Sequence, residues 1–234
     1  MNKPILLFSG GIDSYVAWHF LNKPPTVYFD LRSRYSMVEM LTVSKLIPNT
    51  IIDSSLDLLS REQESAYVPF RNLLLACQAA HYGDTIIMAG NADDVVSDKT
   101  QSIFNEFSQL LSKLEGRPIE VSSPFWELSK RQLVAWYLAQ HGNPMNLINT
   151  VSCYSGVVYC GKCKACFRKW MSLYLNGIDI EFYNMELMQE YHRVALEGER
   201  YTSSRNKNTI EAIERYYAER YRANSERFIS DKTM

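Results

Sequence analysis

Short apolar runs alternate with longer stretches of helical spacing along most of the chain. Pro4-Ile5-Leu6-Leu7-Phe8 is an apolar run that ends at Ser9-Gly10-Gly11, the pattern of a buried strand entering a tight turn. From Asp13 to Leu21 the spacing of Tyr15, Val16, Trp18, His19 and Phe20 predicts a helix with one apolar side. Thr26-Val27-Tyr28-Phe29, after a Pro-Pro pair, predicts a second strand, and Thr50-Ile51-Ile52 a third, with a helix over 38–46 between them. Residues 71–82 (RNLLLACQAAHY) are apolar on most sides and predict a buried helix stopped by Gly83-Asp84. Cys77 falls inside that run, where core packing is its expected role. Residues 85–89 and 118–121 predict further strands, and 100–114 and 128–141 further helices. Strands that alternate with helices predict a parallel sheet covered on both faces.

From about Asn184 the pattern changes. Charged and aromatic residues interleave, and Glu211, Glu214, Arg215, Glu219, Arg220 and Arg222 stand at spacings that allow i,i+3 and i,i+4 pairs. This predicts two partly solvated amphipathic helices running to Phe228. A sharper alternative makes Tyr216, Tyr217, Tyr221 and the neighbouring Arg residues a surface for a protein or nucleic-acid partner, although the interleaved acids oppose phosphate binding.

Composition narrows the class. The chain has 234 residues, 46% apolar and 22% charged, which is ordinary for a globular protein and excludes wholesale disorder. Its 25 Lys and Arg are matched by 26 Asp and Glu, so there is no electrostatic case for sequence-independent DNA binding. No apolar run approaches the ~20 residues of a membrane span. No small-residue cleavage site follows the short apolar start, so a cytoplasmic, reducing location is expected.

Two residue types stand out. Glycine is scarce, ten in all, yet Gly10 and Gly11 are adjacent. Without Cβ atoms they let backbone N–H groups close around a phosphate, and the following helix adds the positive end of its dipole. Ser9 and Ser14 add hydroxyl donors, and Asp13 can cap the helix or hold a metal ion. The loop lacks the Lys of the Gly-x-x-x-x-Gly-Lys-Ser/Thr loop and the Gly-x-Gly-x-x-Gly dinucleotide spacing. Of five cysteines, four are bunched at Cys153, Cys160, Cys163 and Cys166. Three of them fall two residues apart on a turn containing Gly161, and Cys153 can close a tetrahedral set that suits structural Zn²⁺. An iron–sulfur cluster also accepts four Cys, but its common spacings differ. Lys162, Lys164, Arg168 and Lys169 are expected to surround the thiolates and offset their charge.

Ser-Gly-Gly-x-Asp-Ser directly after an N-terminal strand resembles the PP-loop of the ATP pyrophosphatase superfamily. Together with the cysteine cluster and three intermediate segments, the chain resembles the 7-cyano-7-deazaguanine synthase family of queuosine biosynthesis over about residues 4 to 170. Those segments are Tyr67-Val68-Pro69-Phe70-Arg71-Asn72, Gly90-Asn91-Ala92-Asp93-Asp94, and Ser152-Cys153-Tyr154 with Gly156. The resemblance implies a doubly wound α/β fold of the adenine nucleotide alpha hydrolase-like type, with a zinc-stapled helical C-terminal region. The expected division is a nucleotide-binding domain over 1–150 and a metal-binding, helical region over 151–234. It implies an ATP-dependent ligase, using Mg²⁺, that turns 7-carboxy-7-deazaguanine and ammonia into the nitrile. Ser9, Gly10, Gly11, Asp13 and Ser14 would bind phosphate, framed by Leu7, Phe8 and Ile12. Arg71 and Asn72 would contact nucleotide or substrate, and Asn91 and Asp94 would line the base pocket, with Ser9, Asp13, Arg71 and Asp94 catalytic. A homodimer is expected. Against these stand plainer readings of Arg71 as a surface charge at a helix start and of Asp94 as a loop cap.

The chain also departs from the family. Phe70 replaces a Gly, and Leu31-Arg32-Ser33-Arg34-Tyr35 replaces an aromatic-Gly-Gln-Arg-His run, keeping only Arg34. The segment after Asp94 is short, and the tail after Cys166 is long. These departures motivate an alternative in which the same activated acid is joined to an amine on a protein or other acceptor, as in a phage or anti-phage pathway.

Overall fold

The computed structural model describes residues 3–64 and 67–230, with side chains described through Arg222. Five strands form one all-parallel sheet in the order β3-β2-β1-β4-β5. They are β1 (Pro4–Leu7), β2 (Thr26–Phe29), β3 (Ile51–Asp53), β4 (Thr85–Ile87) and β5 (Glu120–Ser122). Their short, continuous apolar runs are what a sheet buried on both faces requires. The chain winds outward from β1 through β2 and β3, then returns to the other side of β1 for β4 and β5. The point of reversal, between β1 and β4, is where open sheets of this kind leave a crevice at the carboxyl ends of the strands.

One face of the sheet is covered by α1 (Ile12–Phe20), α2 (Ser36–Leu46) and α5 (Lys130–Ala139), with Phe8, Val16, Val43, Leu133 and Tyr137 in a shared core. The other is covered by α3 (Arg71–Ala79) and α4 (Gln101–Glu115), through Ala76, Ala79, Phe104 and Leu111. Local chemistry sets the helix ends. The Thr100 side chain accepts the Ile103 N–H at the start of α4, and Gly116, left-handed, stops it. Ser129 and Gln132 form a reciprocal capping box at the start of α5.

The helix predicted over 71–82 is shorter and less buried than its composition suggests. Only Asn72, Ala76 and Ala79 of α3 are buried, and Cys77 faces solvent, so it is not a core residue. A helix on one side of a sheet needs a single apolar stripe, and the remaining apolar side chains of α3 are left half-covered.

After α6 (Pro144–Ile148), the chain forms α7 (Lys164–Tyr174), α8 (Met185–Glu197) and α9 (Ser203–Ser230) around a third core. Phe167 stacks on Tyr191 with centroids 4.4 Å apart, and Trp170 stacks on Tyr174 at 5.1 Å. The predicted amphipathic pair is present as α8 and α9, with surface ion pairs Arg193–Glu197 and Arg215–Glu219. Tyr216 does not belong to an exposed aromatic surface, because it is buried edge-on against Trp170. Tyr217 and Tyr221 are exposed, and the side chains of 223–228 lie outside the described residues. Among the described residues no helix is long and apolar enough to cross a membrane.

Candidate active site

The 9–14 loop leaves β1 at the point of reversal. Gly10 takes φ +74°, and a Cβ there would stand 3.2 Å from Val151 Cγ1, so both conformation and space call for glycine. Its carbonyl accepts the Val151 N–H at 2.8 Å. Gly11 is the N-cap of α1 in an extended conformation, and no side chain caps the helix. The first-turn N–H groups of α1 therefore remain available to an anion. Ser14 Oγ donates to the Gly11 carbonyl at 3.2 Å and lies 3.3 Å from Ser9 Oγ.

Leu7, Phe8, Ser9, Gly11, Ile12, Asp13 and Ser14 line a cleft of about 360 Å³. Arg71, Asn72 and Asp94 line the same cleft from the ends of other elements. Thus segments 81 residues apart in sequence, Asp13 and Asp94, meet at one opening. Gly10 and Asn91 stand behind the wall instead. Asn91 is buried; its backbone N–H donates to Asp94 Oδ2 at 3.2 Å, its Oδ1 accepts the Asp93 N–H, and its Nδ2 is buried without a partner.

The cleft carries several charges that the sequence motifs did not single out. Lys99 Nζ is 2.8 Å and Arg168 Nη2 3.4 Å from the Asp94 carboxylate. Burial alone would raise the Asp94 carboxyl, but the Lys99 ammonium and the Arg168 guanidinium outweigh it and hold it well below the usual carboxylate range. Asp94 is therefore a charged anchor, not a base waiting for a proton. Lys130 Nζ pairs with Asp13 Oδ2 at 2.9 Å, while Asp13 Oδ1 is buried with no partner. Glu39 lines the cleft under Tyr28, whose hydroxyl donates to Oε2 at 3.0 Å. Burial pushes its carboxyl up to about 7, against the Tyr28 hydrogen bond and the nearby Arg71. Lys130 did leave a trace in the sequence. It opens α5 beside Arg131, two cations where the helix dipole favours acids. Glu39, an acid in the first turn of α2, suits the dipole and leaves none.

Phe70 adopts φ +59° at the start of α3 and is 69% exposed. That left-handed backbone is one glycine adopts freely.

The four clustered cysteines converge on one point, with sulfur atoms within 4.8 Å of one another. Cys160 and Cys166 are 3.7 Å apart and Cys163 and Cys153 4.0 Å. Tetrahedral bonds of ~2.3 Å place sulfurs about 3.8 Å apart, so the set fits zinc. Gly161, at φ +67°, turns the loop under Tyr183, where a Cβ would meet the ring at 2.6 Å. Cys163 is the N-cap of α7, its sulfur accepting the Cys166 N–H at 3.4 Å. The helix went unpredicted because Cys is not among the usual capping residues. The bond from the Cys166 thiol, with added N–H donors, draws the Cys163 thiol down to about 4, and the same bond pushes Cys166 up.

Of the basic residues expected to surround these sulfurs, Arg168 faces elsewhere, while Lys169 lies close enough for Cys166 and Cys153 to favour its charge. Arg168 turns to Asp94 in the cleft. Lys169 is 1% exposed, and its Nζ donates to the carbonyls of Ile148 and Thr150 at 2.6 and 2.5 Å. Val151, next along, donates to Gly10. Helix α7 thereby ties the cysteine centre to the glycine loop.

A glycine loop open on a switch-point cleft, beside a closed four-thiol centre, defines a PP-loop nucleotide enzyme. The chain belongs to the family described as "Queuosine biosynthesis protein QueC", which matches residues 26–177. It is similar to the 7-cyano-7-deazaguanine synthase of Buchnera aphidicola subsp. Schizaphis graminum, 24% identical over 217 residues, spanning 74% of this chain and 93% of the relative. It is 25% identical to the Pyrococcus horikoshii protein of the same name over 230 residues, spanning 76% and 95%. The "7-cyano-7-deazaguanine synthase 2" of Sulfurisphaera tokodaii is 26% identical over 228 residues, covering 79% of this chain and 48% of that protein. At these identities the chain is a divergent member. The family match ends before α8 and α9.

Proposed function

We propose that the cleft activates a 7-deazaguanine-type carboxylic acid with ATP and converts it, with ammonia, to the nitrile. The observation that carries this reading is the meeting of the uncapped 9–14 loop with Arg71, Asn72 and Asp94 around one cleft. The carboxylate oxygen attacks the α-phosphate and pyrophosphate leaves. Ammonia then displaces AMP to give the amide. The amide oxygen attacks the α-phosphate of a second ATP, expelling a second pyrophosphate, and loss of AMP and a proton leaves the nitrile. Ser9, Ser14 and the N–H groups of α1 hold the leaving pyrophosphate, and Arg71 and Lys130 balance its charge. Asp13, with one carboxylate oxygen unpaired, would hold Mg²⁺, and the ion would offset phosphate charge. The four cysteines hold a structural Zn²⁺, with no position left open for substrate. In this reading residues 1–150 carry most of the nucleotide site and 151–234 the metal centre and tail, although Ser152, Tyr154 and Arg168 reach back into the cleft. The protein acts as a homodimer.

A second reading keeps the activation and changes the acceptor, so that the acid is joined to a larger amine and the reaction stops at an amide. The exposed Phe70 favours it, since a bulky residue precedes the cleft-lining Arg71 where the family resemblance implies glycine.

Purified protein incubated with ATP, Mg²⁺, ammonium and 7-carboxy-7-deazaguanine, followed by mass spectrometry, tests both. Nitrile, AMP and pyrophosphate support the first reading. AMP formed only when another amine is supplied supports the second. ADP as the nucleotide product overturns both.

A further inference from the structure

Helices α8 and α9 lie beyond the span that matches the family, yet α9 reaches the back of the cleft. Asp93, 1% exposed, stands between them. Its Oδ1 accepts the hydroxyl of Ser204, the second residue of α9, at 3.0 Å. Its Oδ2 accepts the backbone N–H of Lys130, the first residue of α5, at 2.8 Å. Lys130 Nζ in turn reaches Asp13 Oδ2 at 2.9 Å in the 9–14 loop.

We propose that Ser204 is a positioning residue for the cleft, acting through Asp93 on Lys130. The inference rests on the reading that the cleft binds ATP phosphate.

The physical case runs through the start of α5. The first N–H groups of a helix have no intrahelical partner, and an unmet buried donor is costly. Asp93 satisfies the first of them and places a carboxylate at the positive end of the dipole, where Lys130 and Arg131 would otherwise be unfavourable. A buried carboxylate oxygen left without a partner is costly. Ser204 partners the other oxygen of Asp93. The neighbouring residue is fastened by the same helix, since Arg131 Nη1 meets Glu211 Oε2 at 2.6 Å. The backbone from which the Lys130 side chain springs is thus set by α9, and with it the ammonium that faces Asp13. Without the Ser204 hydroxyl, Asp93 is free to rotate away from the Lys130 N–H, and the ion pair with Asp13 loosens.

The test uses the full chain as Ser204→Ala and Ser204→Thr, with Glu219→Gln as a control. Glu219→Gln removes the charge that α9 turns toward Tyr174 and its own Arg215 without touching Asp93. Two quantities are read. One is the rate at which an amine-reactive acetylating reagent labels Lys130, followed by mass spectrometry without nucleotide. The other is ATP affinity by calorimetry, with KM for ATP and kcat wherever turnover is measurable. Ser204→Ala is expected to raise Lys130 labelling and weaken ATP about fivefold, the size of one lost hydrogen bond, through KM and not kcat. Ser204→Thr should restore both, and Glu219→Gln should leave both at the wild-type value. Unchanged Lys130 labelling in Ser204→Ala overturns the proposal, as does an equal effect of Glu219→Gln, which would mean that any loosening of α9 suffices. If the wild-type protein binds no ATP while the labelling changes as expected, the functional reading fails and the positioning role stands.

Discussion

The 9–14 loop and the 160–166 turn are built alike and end differently. Each carries a left-handed glycine, Gly10 or Gly161, and each runs into a helix, α1 or α7. At α7 the N-cap is Cys163, whose sulfur takes up a first-turn N–H and joins three other thiols. At α1 the N-cap is Gly11, which offers no side chain. One helix start is consumed by its own sequence and becomes a closed structural centre. The other is left without a side-chain cap and lines the cleft. One capping atom separates the two turns.

The largest effect should come from opening the closed turn. Cys163→Ala removes a metal ligand and the α7 cap together. Because metal binding of this kind is folding free energy, the thermal midpoint should fall by more than about 10 °C and bound zinc should disappear. Cys77→Ala, at an exposed position, should leave both unchanged. Elemental analysis beside thermal unfolding checks the pair, and a metal-free wild type with a full midpoint would refute the zinc centre.

Next is the link between the two turns. Lys169→Met strips the carbonyls of Ile148 and Thr150 of their shared donor in a buried site. The expected cost is about 2–5 kcal/mol, at roughly 1–3 for each unmet group. Chemical denaturation measures it. A loss below about 1 kcal/mol would mean that the carbonyls find other partners and that α7 does not hold the segment behind Gly10.

A smaller, pH-dependent effect belongs to the wall of the cleft. Burial raises the folded-state carboxyl of Glu39 to about 7, above its ordinary 4.5. The folded protein then binds the extra proton between those values, so stability falls as pH rises through that window. Glu39→Gln should match wild type near pH 4 and be more stable at pH 8, by at most about 3 kcal/mol. Unfolding midpoints at both pH values decide it, and a pH-independent difference would contradict the burial argument.

The smallest change in stability should be the most informative about function. Gly11→Asp gives α1 the side-chain cap that α7 already has. The backbone at Gly11 is extended, and a Cβ there would meet only ordinary contacts at 3.4 Å. Stability should rise by a few tenths of a kcal/mol. ATP affinity should collapse, because the new carboxylate takes the N–H groups and repels phosphate. Retained affinity in calorimetry would show that the helix start is not the phosphate site.

The chain read alone gave the alternation of strands and helices, the glycine loop and the cysteine set, because each depends on residues close together or on ligand chemistry with a fixed geometry. It placed Cys77 inside, and its alternative reading of the tail placed Tyr216 on a partner surface; neither holds, because pattern reports how apolar a segment is and not which side of it finds a partner. It also assigned Arg168 and Lys169 to the thiolates by proximity in sequence, and of the two only Lys169 feels the charges of Cys166 and Cys153. In the fold they lie on different sides of α7, one facing Asp94 and the other the carbonyls of Ile148 and Thr150.

What the sequence determined by itself was therefore local: where glycine lets the backbone turn tightly before a helix, and which four sulfurs can share an ion. What only the tertiary structure decided was pairing. Asp94 becomes an anchor because Lys99 and Arg168 arrive beside it, Glu39 is raised because the cleft wall buries it, and α9 reaches the cleft because Asp93 has one oxygen for Ser204 and another for Lys130. Charge and burial act through space, over distances that the order of residues along a chain does not record.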